Sequence, residues 1–435
     1  MIHSKTSATA ARAAHRRLIV ASSLGTAIEW YDFFVYALVA PLAFDSVFFP
    51  TLNPVAGLIA VFSSFAAGFI ARPFGGVFFG HFGDRIGRKS VLLATILIMG
   101  LSTTAIGLLP SYASIGIWAP ILLVFLRFLQ GLALGGESIG ALVLTMESAP
   151  DQRRGLYASF VQAAGPLGVV GASSIVSALG LLRAGEFMSW GWRIPFLMSF
   201  ILVLMGAYMR MNIEESSLFS QAAERRPLPR APIAFVLGKC KRATLIALLV
   251  CLAETAYYYL TTIFAIAYGT RMLRMNQTML TTAFLIANCV AFVTVPLFGA
   301  LSDRLGRRPM LVTGLIGASV YVYPFFLVLS GRNPVLVSAA IIVSAGIVHP
   351  LIFAAEASFV PELFETEVRF TGASLGKQVG TVLGGGLAPL IATSLIGWSG
   401  GAITPVILYF LGMAVPAILA VLSARESAGR SLIHG

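Results

Sequence analysis

Gly80-His-Phe-Gly-Asp84-Arg85-Ile-Gly87-Arg88-Lys89 and Gly299-Ala-Leu-Ser-Asp303-Arg304-Leu-Gly306-Arg307-Arg308 are two versions of one ten-residue loop, 219 positions apart. The offset is about half of the 435-residue chain, so the sequence reads as a duplication. The same offset carries Glu137 onto Glu356. Glu147 and Arg154 recur as Glu362 and Arg369, seven residues apart in both copies. Glu29-Trp-Tyr-Asp-Phe-Phe has a counterpart in Glu254-Thr-Ala-Tyr-Tyr-Tyr. Chance agreement of all four is remote. A duplication whose halves pack around a midplane site is the architecture of alternating-access transporters.

Each loop follows a long apolar run, and such runs dominate the chain. Hydrophobic residues make up 57% and charged residues 11%. A soluble domain carries about 25% charged residues. A soluble enzyme and a disordered protein are therefore excluded. Stretches of about 20 apolar residues, each long enough to cross a membrane, recur throughout. The short alternating segments of an outer-membrane barrel are not seen. The expected fold is all-α, a polytopic membrane protein with twelve transmembrane helices in two pseudo-symmetric six-helix bundles. The helices are predicted at 17–44, 54–82, 89–110, 117–148, 154–182, 190–211, 242–270, 277–301, 309–330, 334–360, 368–397 and 402–424. Residues 1–16 form a cytoplasmic tail, 17–211 the first bundle, 212–241 a polar linker, 242–424 the second bundle and 425–435 a second tail. Ten prolines, Pro350 and Pro389 among them, are expected to kink or end these helices.

Charge distribution sets the topology. Of 30 Lys and Arg, 22 fall on the side that holds both tails and the linker, and 4 on the other. That bias puts both termini in the cytoplasm. The net charge of +12 is thus a topology signal rather than a nucleic-acid signal. Leu18 to Ile28 mimics a signal peptide, but Glu29 and Asp32 interrupt the run, so an uncleaved first helix is expected. Cys240, Cys251 and Cys289 read as small buried hydrophobes. No nucleotide-binding Gly-rich loop, metal cluster or catalytic set is visible. Gly384-Gly385-Gly386 lies inside a span and reads as close helix packing.

An ionisable group inside the bilayer costs roughly 2.5–3.5 kcal/mol or more and marks a pathway. Glu29, Asp32, Arg72, Arg127, Glu137, Glu254, His349, Glu356 and Lys377 all qualify. Asp32 and Arg127 lie at similar depth, and Glu29 shares a face with Asp32. If a substrate carboxylate takes over Arg127, Asp32 loses its partner and favours a proton. The alternative is a static ion pair. Lys377, beside Gln378, is suited to an anion as a point charge with three donors; the alternative is a lysine paired with Glu254 or Glu356. His349 is a proton relay, a substrate ligand or a packed histidine. Tyr31, Tyr36, Tyr258, Gln130 and Gln162 are candidate cavity donors. Asp84 and Asp303 fall at helix N-termini, where negative charge is favoured. Arg85, Arg88, Arg154 and Arg369 can pair with Asp84, Asp303, Glu147 and Glu362; with Arg304 and Arg307 they make a cytoplasmic gate. Arg193 reads as a structural anchor.

The Gly-x-x-x-Asp-Arg-x-Gly-Arg-Lys/Arg loops resemble the signature of the major facilitator superfamily. Glu29-Trp30-Tyr31-Asp32-Phe33, Ala71-Arg72-Pro73-Phe74-Gly75-Gly76, Arg127-Phe-Leu-Gln130-Gly131, Gly135-Gly136-Glu137 and Trp190-Gly191-Trp192-Arg193-Ile-Pro195-Phe196 resemble its metabolite:proton symporter branch, most of all shikimate-permease-like members. Lys377 departs from the aromatic that branch members carry there. The resemblance implies the major facilitator fold, a first-span acid working with a fourth-span arginine, and a bacterial cytoplasmic membrane location.

Taken together, these readings expect a non-enzymatic secondary transporter that imports a small hydroxy or aromatic carboxylate by proton symport. The proton-coupling set is Asp32, Glu29, Arg127, Glu137 and His349. Arg127, Lys377, Gln378, Tyr31, Tyr36, Gln130, Gln162, Glu254, Tyr258 and His349 are the substrate-binding candidates. The drive is the proton gradient, with no cofactor and no metal. The partners are substrate, protons and lipid, with no nucleic acid, and the chain is expected as a monomer. Symport of zwitterionic osmolytes or of di- and tricarboxylates, and drug/proton antiport, are the alternatives.

Overall fold

The computed structural model describes residues 2–52, 54–179, 182–211 and 232–430. Among the described residues there is no β-strand. The twelve expected spans are all helical. They run Ile2–Phe48, Pro54–Ile86, Arg88–Leu108, Trp118–Ser148, Arg154–Leu179 and Ile194–Met211 in the first half. In the second half, Lys241–Arg271, Gln277–Leu305, Arg307–Ser330, Pro334–Glu362, Arg369–Trp398 and Thr404–Ser423 follow. Eleven of the described helices are long and apolar enough to cross a membrane.

Three expectations change. Residues 2–16, expected as a tail, continue the first helix. The polar linker over 212–241 ends in a helix, Pro232–Lys239, and its residues 212–231 lie outside the described set. Asp84 and Asp303 sit in the last turns of the second and eighth spans, so each ten-residue motif is two helices joined at one glycine. Gly87 has φ +105° and Gly306 φ +103°. Only glycine adopts such a φ without strain, which is why the motif needs it there.

The seventh, tenth and eleventh spans each contain one π-helical turn, at Leu260–Phe264, Ser344–Val348 and Val382–Gly386. These are the only π turns among the described residues. Pro350 and Pro389 lie two and three residues after two of them, each the second residue of the next α segment. A proline ring clashes with the carbonyl four residues earlier. That carbonyl falls inside the π turn here, whose wider winding makes room, so of the two expected outcomes, a kink or an end, neither proline ends its span.

Two compact units emerge. One holds Met1–Leu144 and Ala164–Ser216, the other Thr145–Ala163 and Ser217–Gly435. The connection between the fourth and fifth spans therefore groups with the second half of the chain. In the first unit, Tyr36, Phe44, Phe48, Trp192 and Phe196 form a buried aromatic cluster. In the second, the eleventh span approaches the seventh along Gly376, Gly380 and Gly384. A Cβ on Gly384 would stand 2.4 Å from the Leu252 carbonyl oxygen.

Candidate functional site

The first unit holds a polar set inside its spans. Asp32 is buried; Ser199 Oγ donates to its Oδ1 (2.6 Å), and its Oδ2 has no hydrogen-bond partner. Arg127 Nη1 donates to Gln130 Oε1 (2.8 Å), and Gln130 Nε2 donates to Thr103 Oγ1 (2.6 Å). The Arg127 guanidinium lies 3.7 Å from the centre of the Tyr36 ring, and the Tyr36 hydroxyl bonds Ser64. Asp32, Arg72, Arg127 and Gln130 line one narrow cleft beside Gly68 and Gly131. Those glycines let the second and fourth spans touch, since a Cβ on Gly131 would meet the Gly68 carbonyl oxygen at 2.0 Å. Glu29 accepts from Ser138 (2.5 Å), and its second oxygen is also buried without a partner.

Glu137 sits in a different environment. Arg210 grips it with two nitrogens, Nη1 to Oε2 at 2.7 Å and Nη2 to Oε1, and Thr95 donates to Oε2 at 2.6 Å. Both side chains are buried. A bidentate, fully bonded pair of this kind holds spans in place. Arg210 therefore leaves the count of loop charges, where its sequence position had put it.

The second unit brings four groups together. Lys377 Nζ bonds Glu356 Oε1 and stands 3.6 Å from Glu254 Oε2. Glu254 Oε1 lies 2.7 Å from His349 Nε2, and its Oε2 accepts from Thr255 Oγ1 (2.8 Å). Cys251 Sγ approaches Glu356 Oε1 at 3.4 Å, while Glu356 Oε2 is buried with no partner. The His349 ring stacks on Phe353, and the Tyr258 ring lies 4.6 Å from it. The Tyr258 hydroxyl is buried and unbonded. Lys377 keeps 13% of its side chain exposed.

The charged loop residues of this unit form a separate cluster. Asp303 accepts from the backbone amides of Gly155 and Leu156, both at 2.9 Å, and so caps the fifth span. Arg307 joins Asp303 (2.7 Å) to Glu362 (3.5 Å), and Arg369 pairs with Glu147 (2.7 Å). Ser427 donates to Glu362, and Arg154 Nη1 to the Arg430 carbonyl (both 2.6 Å). Glu426 accepts from the amides of Arg307, Arg308, Ser427 and Ala428 at 2.9–3.0 Å. Burial pushes the Glu426 carboxyl up, but these four amides outweigh it and hold it below the usual carboxylate range.

The family pattern described as Major Facilitator Superfamily matches residues 22–375 and 277–433. The chain belongs to the Major Facilitator Superfamily. Among curated relatives it is 39% identical over 420 residues to the shikimate transporter of Escherichia coli strain K12, covering 94% of each chain. It is also 39% identical to the inner membrane metabolite transport protein YhjE of the same strain, covering 96% of this chain and 95% of the other. Among solved structures, the proton:xylose symporter XylE bound to 6-bromo-6-deoxy-D-glucose aligns with TM-score 0.82 at 15% identity, covering 97% and 98%. That likeness shows the fold.

The superfamily member thus gathers part of what the sequence nominated. Asp32, Arg127, Gln130 and Arg72 share one cleft. Glu254, Lys377 and His349 meet as a second set, in which Lys377 is paired with both Glu254 and Glu356. Gln378 is buried in the same span. Tyr31 donates to the Pro195 carbonyl (2.8 Å) and so ties the first span to the sixth. Gln162 is buried within the segment that groups with the second unit. Of the gate candidates, Asp303, Arg307, Glu147, Arg369, Glu362 and Arg154 lie in one cluster. Asp84 and Arg88 form a buried pair at 3.4 Å. Arg85 is exposed near His81, and Arg304 is exposed. Arg193 anchors the carbonyls of Gly107 and Leu109 (2.7 and 2.8 Å). Sequence reasoning missed the Glu137–Arg210 pair and the Glu426 cap. The first had a signal, an arginine inside the last turn of a span; the second had none.

Proposed function

We infer that this chain is a secondary transporter that carries a small organic acid inward together with protons by alternating access. It would sit in a bacterial inner membrane as a monomer with both termini cytoplasmic, as the basic loops indicate. The observation that carries the reading is a pair of in-span polar sets, each placing a cation by a carboxylate with one buried oxygen lacking a partner: Asp32 shares a cleft with Arg127, and Glu356 holds Lys377. Charge at membrane depth is retained where it serves a pathway. Relatives named as shikimate and metabolite transporters support an organic substrate. Arg127 and Lys377 suit a carboxylate, and the aromatic neighbours Tyr36, Tyr258 and Phe353 suit a hydroxylated or aromatic ring.

In the first unit, a substrate carboxylate drawn to Arg127 weakens the hold of that guanidinium on Asp32, which then favours a proton. The proton gradient supplies the drive, and no cofactor enters. Proteoliposomes loaded with purified protein test this directly. Shikimate, benzoate and hydroxybenzoates are offered with and without an inward proton gradient, with glycine betaine and citrate alongside. Accumulation of a monocarboxylate that collapses with a protonophore is expected. Betaine or citrate as the only accumulated solute removes the substrate class, and uptake indifferent to the gradient removes symport.

A further inference from the structure

The second polar set has a charge count that the first does not. Glu254 and Glu356 face a single ammonium, Lys377, inside the spans. Lys377, Glu254 and Cys251 are the titratable groups that bear on Glu356, and His349 reaches the set through Glu254. With both carboxylates ionised and the imidazole neutral, the group carries one uncompensated negative charge. Uncompensated buried charge is expensive, and protonation is the usual relief. The two carboxylates are also unequal. Glu254 is satisfied by His349, Thr255 and Lys377. Glu356 keeps one buried oxygen with no partner at all. Its other oxygen holds the Lys377 ammonium, the most exposed member of the set.

We propose that Lys377, Glu356, Glu254 and His349 form a proton-for-carboxylate exchange site, in which Lys377 receives the substrate's carboxylate only as Glu356 takes up a proton. The inference rests on the proposed symport and locates part of its coupling. A proton from the aqueous phase goes to Glu356, the ammonium swings from Glu356 to the incoming carboxylate, and the charge of the site is unchanged. At this site one anion therefore brings one proton. Glu254 stays ionised and keeps Lys377 within reach, with His349 bonded behind it.

The three spans that build the site supply a second, independent observation. Glu254 lies on the seventh span, His349 and Glu356 on the tenth, and Lys377 on the eleventh. These three carry the only π turns among the described residues, one starting six residues after Glu254, one ending directly before His349 and one starting five after Lys377. Single π turns inside α-helices occur mostly at functional sites, where a local change of winding re-aims side chains. The glycine contacts of the eleventh span with the seventh bring Lys377 close to Glu254.

The test uses the acid that accumulates in the proteoliposome experiment. With equal pH on both sides, wild-type affinity in counterflow is expected to weaken as pH rises, by up to tenfold per pH unit for the proton linked at this site. Glu356→Gln is expected to keep counterflow, to lose this site's share of the pH dependence, up to tenfold per pH unit, and to lose gradient-driven accumulation. Lys377→Met is expected to lower affinity at least tenfold. Normal accumulation and an unchanged pH dependence in Glu356→Gln overturn the proposal. Glu356→Asp keeps a carboxyl and guards against misfolding. Infrared difference spectra on adding the acid are expected to show a protonated carboxyl band that shifts in Glu356→Asp. A band that does not shift, or no band, also overturns it. Failure of every acid to accumulate in wild type is a different result, and it strikes the symport reading first.

Discussion

Asp32 rests one oxygen on Ser199 and leaves the other bare inside the protein. Glu137, by contrast, is gripped by two Arg210 nitrogens and by Thr95. The two acids should respond differently to substitution. Asp32→Asn is expected to retain counterflow while losing gradient-driven uptake, with little change in melting temperature; active uptake at the wild-type rate would remove Asp32 from coupling. Arg210→Met strands a buried carboxylate, a loss of about 3–5 kcal/mol for such pairs. Thermal melting in detergent should show that loss as a lowered midpoint, and Glu137→Gln/Arg210→Met should recover much of it.

At the scale of single elements, glycines divide into those that hold helices together and those that do not. A Cβ on Gly384 would run into the Leu252 carbonyl oxygen, which is backbone and cannot move aside. Gly384→Ala is expected to destabilise by about 1–3 kcal/mol, as overpacking does. Gly317, in the ninth span, has nothing within 4 Å. Gly317→Ala should be neutral or stabilising by up to ~1 kcal/mol, because alanine is the better helix former. Equal melting temperatures for the two variants would show that the seventh–eleventh contact is soft. Hydropathy places eleven of the twelve spans within a few residues, because length and apolar content are local properties, and misses the extension of the first helix over residues 2–16. The π turns are not legible in the same way. Two of the three depend on how Pro350 and Pro389 fit against the turn before them, and a proline signal alone reads as a kink. The candidate site is legible as a list of in-span charges. Which cation meets which carboxylate depends on packing, so the sequence offers Glu254 and Glu356 only as alternative partners of Lys377, which meets both.

For the molecule as a whole, the duplication visible in the paired loops is not repeated in their contacts. Glu147 of the first copy pairs with Arg369 of the second, and residues 145–163 group with the second half. Glu426, outside the repeat, caps the ninth span and adds a pH dependence. Its carboxyl titrates lower folded than unfolded, so its contribution is full above the unfolded value near pH 4.3 and is lost as pH falls through the folded value. Glu426→Gln is expected to lower the melting midpoint at pH 7, with the gap to wild type closing below about pH 4. A gap that widens in acid would reverse the assignment.

The two amides that Asp303 holds, on Gly155 and Leu156, have a use beyond holding a helix end. When the carboxylate lets go, both N–H groups must find water, and only then can their hydrogens be replaced by deuterium. Deuterium uptake at this dipeptide is consequently a clock wired into the fold, counting how often the clasp releases under each pH, voltage or added solute, with no label attached to the protein.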